Sequence, residues 1–258
     1  MKVLAVAANT MREAVRDRIL YMLLFFALGM MLASRALSML TMGEPRKIIV
    51  DIGLGSISFF SVLIAVFLGI GLVSREIERR TIYAVVTKPL SRGAFVCGKF
   101  LGLMATIALI QLVMTLFFAV TLYAWETPFT RAYAFAIGLS FLEAATMLAV
   151  ALLFSALASP LLASMFTLAT YMVGHWLDSV AVLVRRLPPG LFRWFLTALY
   201  YVFPNLERLN IKGQVVFAEP ELVAELPRQV LTASGYGLCY AAGILGLAVL
   251  AYRRKDFV

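Results

Sequence analysis

Apolar residues gather along the chain in six long runs, at 19–40, 52–74, 94–124, 132–158, 161–183 and 229–252, separated by polar stretches. Each run reaches the roughly 20 mostly apolar residues that crossing a hydrocarbon core requires, so the pattern predicts six membrane-spanning helices. The first 18 residues follow a different pattern. At about 100° per residue, Val3, Ala7, Met11, Ala14 and Val15 share one arc, and Lys2, Asn9, Arg12, Glu13 and Arg16 share the opposite one. Segment 1–18 is therefore expected to be an amphipathic helix lying in the membrane interface. Between the fifth and sixth runs lies the longest polar segment, 184–228. Its first part carries Phe192, Trp194, Phe195, Tyr200, Tyr201 and Phe203, is too short to cross, and stops at Pro204. It is expected to sit at headgroup level, or to dip in and return, with 205–228 as a small polar cap.

Composition sharpens this picture. The chain is 62% apolar and 14% charged, against about 45–50% and about 25% in soluble domains. Six spans fill most of its 258 residues and leave no room for a soluble catalytic domain, so residues 1–258 read as one all-α polytopic transmembrane domain. The formal charge of +9 would point to nucleic acid in a soluble protein. Here it reports topology, and no nucleic-acid partner is expected. With both termini inside, 13 of the 23 Lys and Arg residues fall on the inner side. Six of the remaining ten fall in 184–228, a segment long enough to weaken the rule. A cytoplasmic membrane location with cytoplasmic termini follows. Lys2, Arg12, Glu13, Arg16, Asp17 and Arg18 leave no apolar stretch in which to expect a cleavable leader. Cys97, Cys239 and the single histidine give no disulfide or metal-ligand spacing.

The inner loop between the second and third runs, 75–92, is the most informative. Glu76 precedes Arg79 and Arg80 by three and four residues, the favourable order for side-chain pairs on a helix. Ile77, Thr81, Ala84, Val85 and Lys88 lie along another face. This reads as a short helix in its own right, stopped by Pro89, with Ser91 placed to cap the next helix. Such a helix suits docking to a cytoplasmic partner; a solvated connection is the other reading. The run Ser74-Arg-Glu-Ile-Glu-Arg-Arg-Thr-Ile82, the turn Lys88-Pro-Leu-Ser-Arg92 and Gly98-Lys-Phe-Leu-Gly102 resemble, in order and spacing, the cytoplasmic loop of permease subunits of the ABC type-2 exporter family. Arg80 stands where many members carry Gly. The segment Tyr201-Val-Phe-Pro-Asn-Leu-Glu207 resembles the branch that includes copper-enzyme maturation permeases.

The resemblance implies a permease that pairs with a second copy and with cytoplasmic ABC ATPase subunits. ATP and Mg would be bound by those subunits, with no cofactor and no catalysis in this chain. It also implies coupling through Arg75, Glu76, Glu78, Arg79, Arg80 and Thr81, at an angle fixed by Pro89, Ser91 and Arg92. An ATPase-independent carrier built around Glu143 and a membrane anchor for a surface or motility complex are the alternatives.

Gly93-Ala-Phe-Val-Cys-Gly98-Lys99 has phosphate-loop spacing, but Phe100 follows where Ser or Thr must hold magnesium, so it is not read as a nucleotide site. Gly98 with Gly102, and Ala242 with Gly246, are expected to let helices approach closely. Lys99 is expected to snorkel to the inner headgroups. Met22, Met30, Met31 and Met39 are read as apolar filler rather than copper ligands. Ionisable residues inside spans are functional candidates because the bilayer makes them costly. Glu143 lies near mid-membrane in the fourth run, and His175 and Asp178 share a face towards the outer end of the fifth.

Overall fold

The computed structural model describes residues 2–39, 44–78, 91–217 and 220–254. Among them the secondary structure is helical throughout: α1 (Lys2–Val15), α2 (Arg18–Met39), α3 (Pro45–Glu78), α4 (Arg92–Tyr123), α5 (Arg131–Leu157), α6 (Pro160–Arg186), α7 (Leu191–Val202), a 3₁₀ turn (Glu207–Leu209), α8 (Lys212–Phe217) and α9 (Pro220–Arg254). Six of these helices, α2 to α6 and α9, are long and apolar enough to cross a membrane. The chain is therefore an all-α polytopic membrane protein, with spans where the apolar runs place them.

The sequence of α5 determines its position. It is apolar on every side, with small residues interspersed, and a helix without a polar face must be enclosed by others. Ala144, Met147, Leu148, Ala151 and Leu152 are all buried, against α3 and α9, with α4 and α6 also in contact. A hydroxyl ties α9 to it: Ser155 Oγ and Tyr252 Oη lie 2.8 Å apart. The outer faces of α2 and α6 remain apolar and exposed, with Phe25, Phe26, Met165, Phe166 and Trp176 as examples, which suits contact with lipid. On α2, Met31 is in the core while Met22 and Met30 are exposed.

Helix α1 packs against the beginning of α4, and glycine makes this possible. A Cβ on Gly98 would lie 2.7 Å from Val6 Cβ and 3.0 Å from the Val3 carbonyl oxygen. One on Gly102 would run into the Ala7 carbonyl oxygen and lie 2.8 Å from Thr10 Cβ. The close approach expected of Gly98 and Gly102 is thus made by α1, whose Thr10 and Ala14 are buried. Ala242 and Gly246 behave differently. Both are exposed, and a Cβ on Gly246 would meet nothing within 4 Å. Lys99 also departs from expectation: it is only 1% exposed, its Nζ lies 5.5 Å from the centre of the Phe95 ring, and it does not snorkel outward. The phosphate-loop spacing around it lies within continuous helix.

The segment between the last two spans departs most. Helix α7 presents Leu191, Phe192, Trp194, Phe195 and Tyr201 to the surroundings and buries only Leu196. The stretch expected to form a polar cap instead turns inward: Leu206, Leu209, Ile211, Val215 and Val216 are all buried in the common core. The last helix begins at Pro220 and continues through Pro227, and its membrane-crossing part, Leu226–Arg253, lies where the sixth apolar run places it.

Candidate functional site

The inward turn of residues 204–217 brings charged groups to a carboxylate in the middle of the bundle. Glu143 is fully buried and sits on α5 about 18 Å along the helix from Arg131, at 1.5 Å per residue. Unpaired, a carboxylate at that depth would cost several kcal/mol or more, and it is paired on both oxygens. The Ser58 hydroxyl, on α3, donates to Oε2 at 2.8 Å, and Nε2 of His175, on α6, lies 2.8 Å from Oε1. The chain continues outward: His175 Nδ1 lies 3.2 Å from Glu207 Oε2, which also accepts from Asn210 Nδ2 at 3.1 Å. Its other end returns to the same segment, where Lys212 Nζ donates to Ser58 Oγ at 2.8 Å. The Tyr171 ring stands edge-on to the imidazole, with centroids 4.7 Å apart.

The protons in this network can be counted without locating them. Each of the two carboxylate–imidazole contacts needs one hydrogen. Two hydrogens shared among two carboxylates and one imidazole leave a charge of −1 wherever they sit. The Lys212 ammonium balances it, so Glu143, His175, Glu207 and Lys212 form a neutral set. Exposure rises along the chain from Glu143 to Glu207, whose side chain is 37% exposed.

A second set of contacts fixes the segment against α6 and α9. Asn205 Nδ2 donates to Asp178 Oδ1 at 2.7 Å, the Asn205 N–H donates to Tyr236 Oη at 2.8 Å, and the Leu206 N–H donates to the Gly174 carbonyl at 3.1 Å. Gly174 is required here: a Cβ would lie 2.7 Å from the Pro204 carbonyl oxygen and 2.8 Å from Leu206 Cγ. The Arg208 guanidinium lies 5.3 Å from the Tyr236 ring centre. Beside the network is an open cavity of about 360 Å³, with Asp178, Glu207, Asn210, Ile211, Gln229 and Tyr236 in its wall. Glu207 thus belongs both to this wall and to the buried chain. Among the described residues no group of three His, Cys, Asp or Glu side chains is arranged to hold a metal ion.

Of the residues singled out from sequence, Glu143 and His175 meet directly, and Asp178 stands one turn outward with its own partner. Ser58 and Lys212 carry no such mark in the sequence, and Asn205 and Glu207 enter only within the 201–207 segment quoted for its resemblance. A usable signal was the spacing of Leu206, Leu209, Ile211, Val215 and Val216, an apolar set too regular for a solvated cap.

At the start of α4, Ser91 caps the helix: its backbone is extended and its Oγ accepts from the Ala94 N–H at 3.2 Å. Arg75, Glu76 and Glu78 continue α3 without a break, so no separate helix starts at Arg75. Arg and Glu propagate a helix well, so nothing in 75–78 breaks it. Arg92 opens α4. Arg79, Arg80, Thr81 and Pro89 lie outside the described residues, as do the side chains of Arg75, Glu76, Glu78 and Arg92.

A family model described as ABC-2 family transporter protein matches residues 4–184. The match runs from α1 into the C-terminal end of α6 and includes the loop between α3 and α4. No curated protein sequence matches the chain significantly.

Proposed function

The chain belongs to the ABC-2 transporter family, and from that premise we propose that it forms the substrate path of an ATP-driven exporter as one of two identical permease copies. It is the multi-pass membrane subunit of an ABC transporter, a component that does not itself carry out the catalysis. In the proposed assembly, two cytoplasmic ATPase subunits bind ATP and Mg. Their closure pushes on the inner end of α3 and the loop to α4, and the spans shift. Arg75, Glu76, Glu78, Arg79, Arg80 and Thr81 make the contact, while Pro89, Ser91 and Arg92 set its angle. Both termini are cytoplasmic in this reading, and the membrane is the cytoplasmic one.

The observation that carries the proposal is the run from Ser74 to Arg92, which lies inside the matched region. The Ser91 cap supports it by giving α4 a defined start immediately after the loop. The second reading, an ATPase-independent carrier, draws on the buried Glu143–His175 pair.

Co-purification of the partner ATPase and transport-linked ATP turnover decide between them. Glu78→Lys should leave the permease in the membrane yet weaken ATPase binding or uncouple hydrolysis from transport, because like charges facing each other across a contact are costly. Glu221→Lys, in the outer half of the sequence, should leave both unchanged. Equal behaviour of the two variants would refute coupling through the loop. Proton-driven transport by the chain alone would favour the carrier.

A further inference from the structure

We propose that the junction of α6 and α7 is a binding site for a phospholipid whose headgroup carries a net negative charge. Arg185, Arg186 and Arg193 take the phosphate, and the acyl chains lie along the exposed apolar face of α7. The inference goes beyond the permease reading and does not depend on how the loop between α3 and α4 meets an ATPase.

The charge at this junction is one-sided. Residues 179–206 contain three arginines and no aspartate or glutamate. All three arginines are exposed, and none pairs with a carboxylate among the described residues. They are also gathered in one place. Arg185 and Arg186 occupy the last turn of α6, and Arg193 turns back across the 187–190 connection, its Nη1 donating to the Leu187 carbonyl at 3.4 Å. The negative pole of a helix C-terminus, about half an elementary charge, offsets only a fraction of three guanidiniums. The start of α7 adds to the positive side, because no side chain caps its first N–H groups and such groups favour an anion.

The depth of the junction is defined as well. The crossing helix Pro160–Arg186 is about 40 Å long, so its last turn reaches the headgroup layer. From there α7 runs back alongside α6. Asn205, just beyond the end of α7, donates to Asp178, which lies about 12 Å before the end of α6. The Val202 carbonyl accepts from Tyr240 Oη at 2.8 Å, and Tyr240 is near the middle of the crossing part of α9, Leu226–Arg253. Helix α7 therefore leads from headgroup level into the hydrocarbon. At about 100° per residue, Leu191, Phe192, Trp194, Phe195, Tyr201 and Val202 fall within one half of its circumference, and all six are exposed. Cations without a counter-charge at one end, and an apolar face about 18 Å long below them, match the profile of a single phospholipid molecule. A second copy of the chain fits less well. A two-fold interface sets each patch against its own image, which would press the three arginines against the same three with no acid between them.

The test uses the full chain reconstituted in vesicles of phosphatidylcholine and phosphatidylglycerol in fixed proportion. Trp125→Phe and Trp176→Phe leave Trp194 as the only tryptophan. Bromine, which quenches tryptophan fluorescence on contact, is placed on the chains of one lipid or the other, so the surface charge stays constant. Per mole, brominated phosphatidylglycerol should quench Trp194 at least about fivefold more than brominated phosphatidylcholine, the gain expected when even one cation sits against an anionic headgroup. The triple variant Arg185→Gln/Arg186→Gln/Arg193→Gln should bring that ratio to within about twofold of unity. Replacing the same three by Lys keeps the charge and should keep most of the preference. Arg131→Gln removes an exposed cation at the start of α5 and should leave the ratio at the parental value. Equal quenching by the two lipids in the parent would overturn the inference, as would a preference that survives the triple Gln variant or one that Arg131→Gln abolishes. Quenching by neither lipid would show that protein, such as a second copy, covers the face of α7, and would refute it too. Should the triple Gln variant fail to reach the membrane, the three single Gln variants decide: each lowers the ratio if the inference holds, and an unchanged ratio in all three refutes it.

Discussion

Replacing Gly102 with Val tests whether α1 is built into the bundle or merely rests on the membrane surface. In the packed arrangement a Cβ at this position meets the Ala7 carbonyl oxygen and comes within 2.8 Å of Thr10 Cβ. Ordinary van der Waals contact begins near 3.4 Å, so the two helices must part by about 0.6 Å or more. The nearest obstacle is backbone, which has no rotamer to yield. Overpacking of this kind costs about 1–3 kcal/mol, a rise of roughly 5- to 150-fold in the population with α1 undocked. The reporter is Thr10→Cys, at a position only 1% exposed, in a chain with Cys97 and Cys239 replaced. Maleimide labelling in permeabilised membranes follows the undocked fraction when redocking is faster than the chemistry. Gly138→Val is the control: a Cβ at Gly138 would meet nothing within 4 Å, and Thr10→Cys should label at the parental rate. Equal labelling of the two variants would mean that the glycine contact does not hold α1 on α4, and that the amphipathic pattern alone keeps it at the membrane surface.

Further expectations follow from the outer half and from topology. Glu143→Leu should lower the thermal midpoint of the purified chain more than Glu143→Gln does, because Gln keeps an oxygen that accepts from Ser58 and an N–H that donates to His175 Nε2, whereas Leu leaves both without a partner; breaking a buried pair typically costs about 3–5 kcal/mol. A Leu variant at least as stable as the Gln variant would show that the site is held by packing. Gly174→Ala should loosen the outer segment by steric means alone, since its Cβ would lie 2.7 Å from the Pro204 carbonyl oxygen, and faster labelling of Val215→Cys reads this out. Ser155→Ala removes the hydroxyl facing Tyr252 and should cost about 1 kcal/mol, seen as a small drop in thermal midpoint that Tyr252→Phe reproduces. In intact cells, an impermeant reagent should modify Gln214→Cys, an exposed position of α8, and leave Ser91→Cys untouched until the membrane is opened; labelling of Ser91→Cys from outside would invert the assignment of sides.

The sequence by itself determined the spans. Hydrophobic length is a one-dimensional property, since a helix satisfies its own backbone and needs only enough apolar residues to cross. The helical N-terminal segment was legible for a similar reason, because its two arcs follow from the helical period alone, and so was the Ser91 cap, a contact between residues three apart. Glu143 and His175 stood out because charge inside an apolar run is conspicuous wherever the run folds. What the sequence left open is what each of them meets. Ser58 gives no sign that it will face Glu143 across 85 positions of sequence, and Lys212 looks like an ordinary surface lysine until 204–217 turns inward. The place of Lys99 was likewise hidden, since the same residue at the same depth can snorkel or be covered, and only the packing around α4 decides which. A polar segment between two spans can cap a bundle or enter it, and its own composition permits either. Entry became favourable here because the bundle offered a buried carboxylate and an imidazole at the right separation, a glycine on α6 to admit the backbone, and apolar surface for Leu206, Leu209 and Ile211. Those three conditions come from different spans, and none exists until the helices have packed.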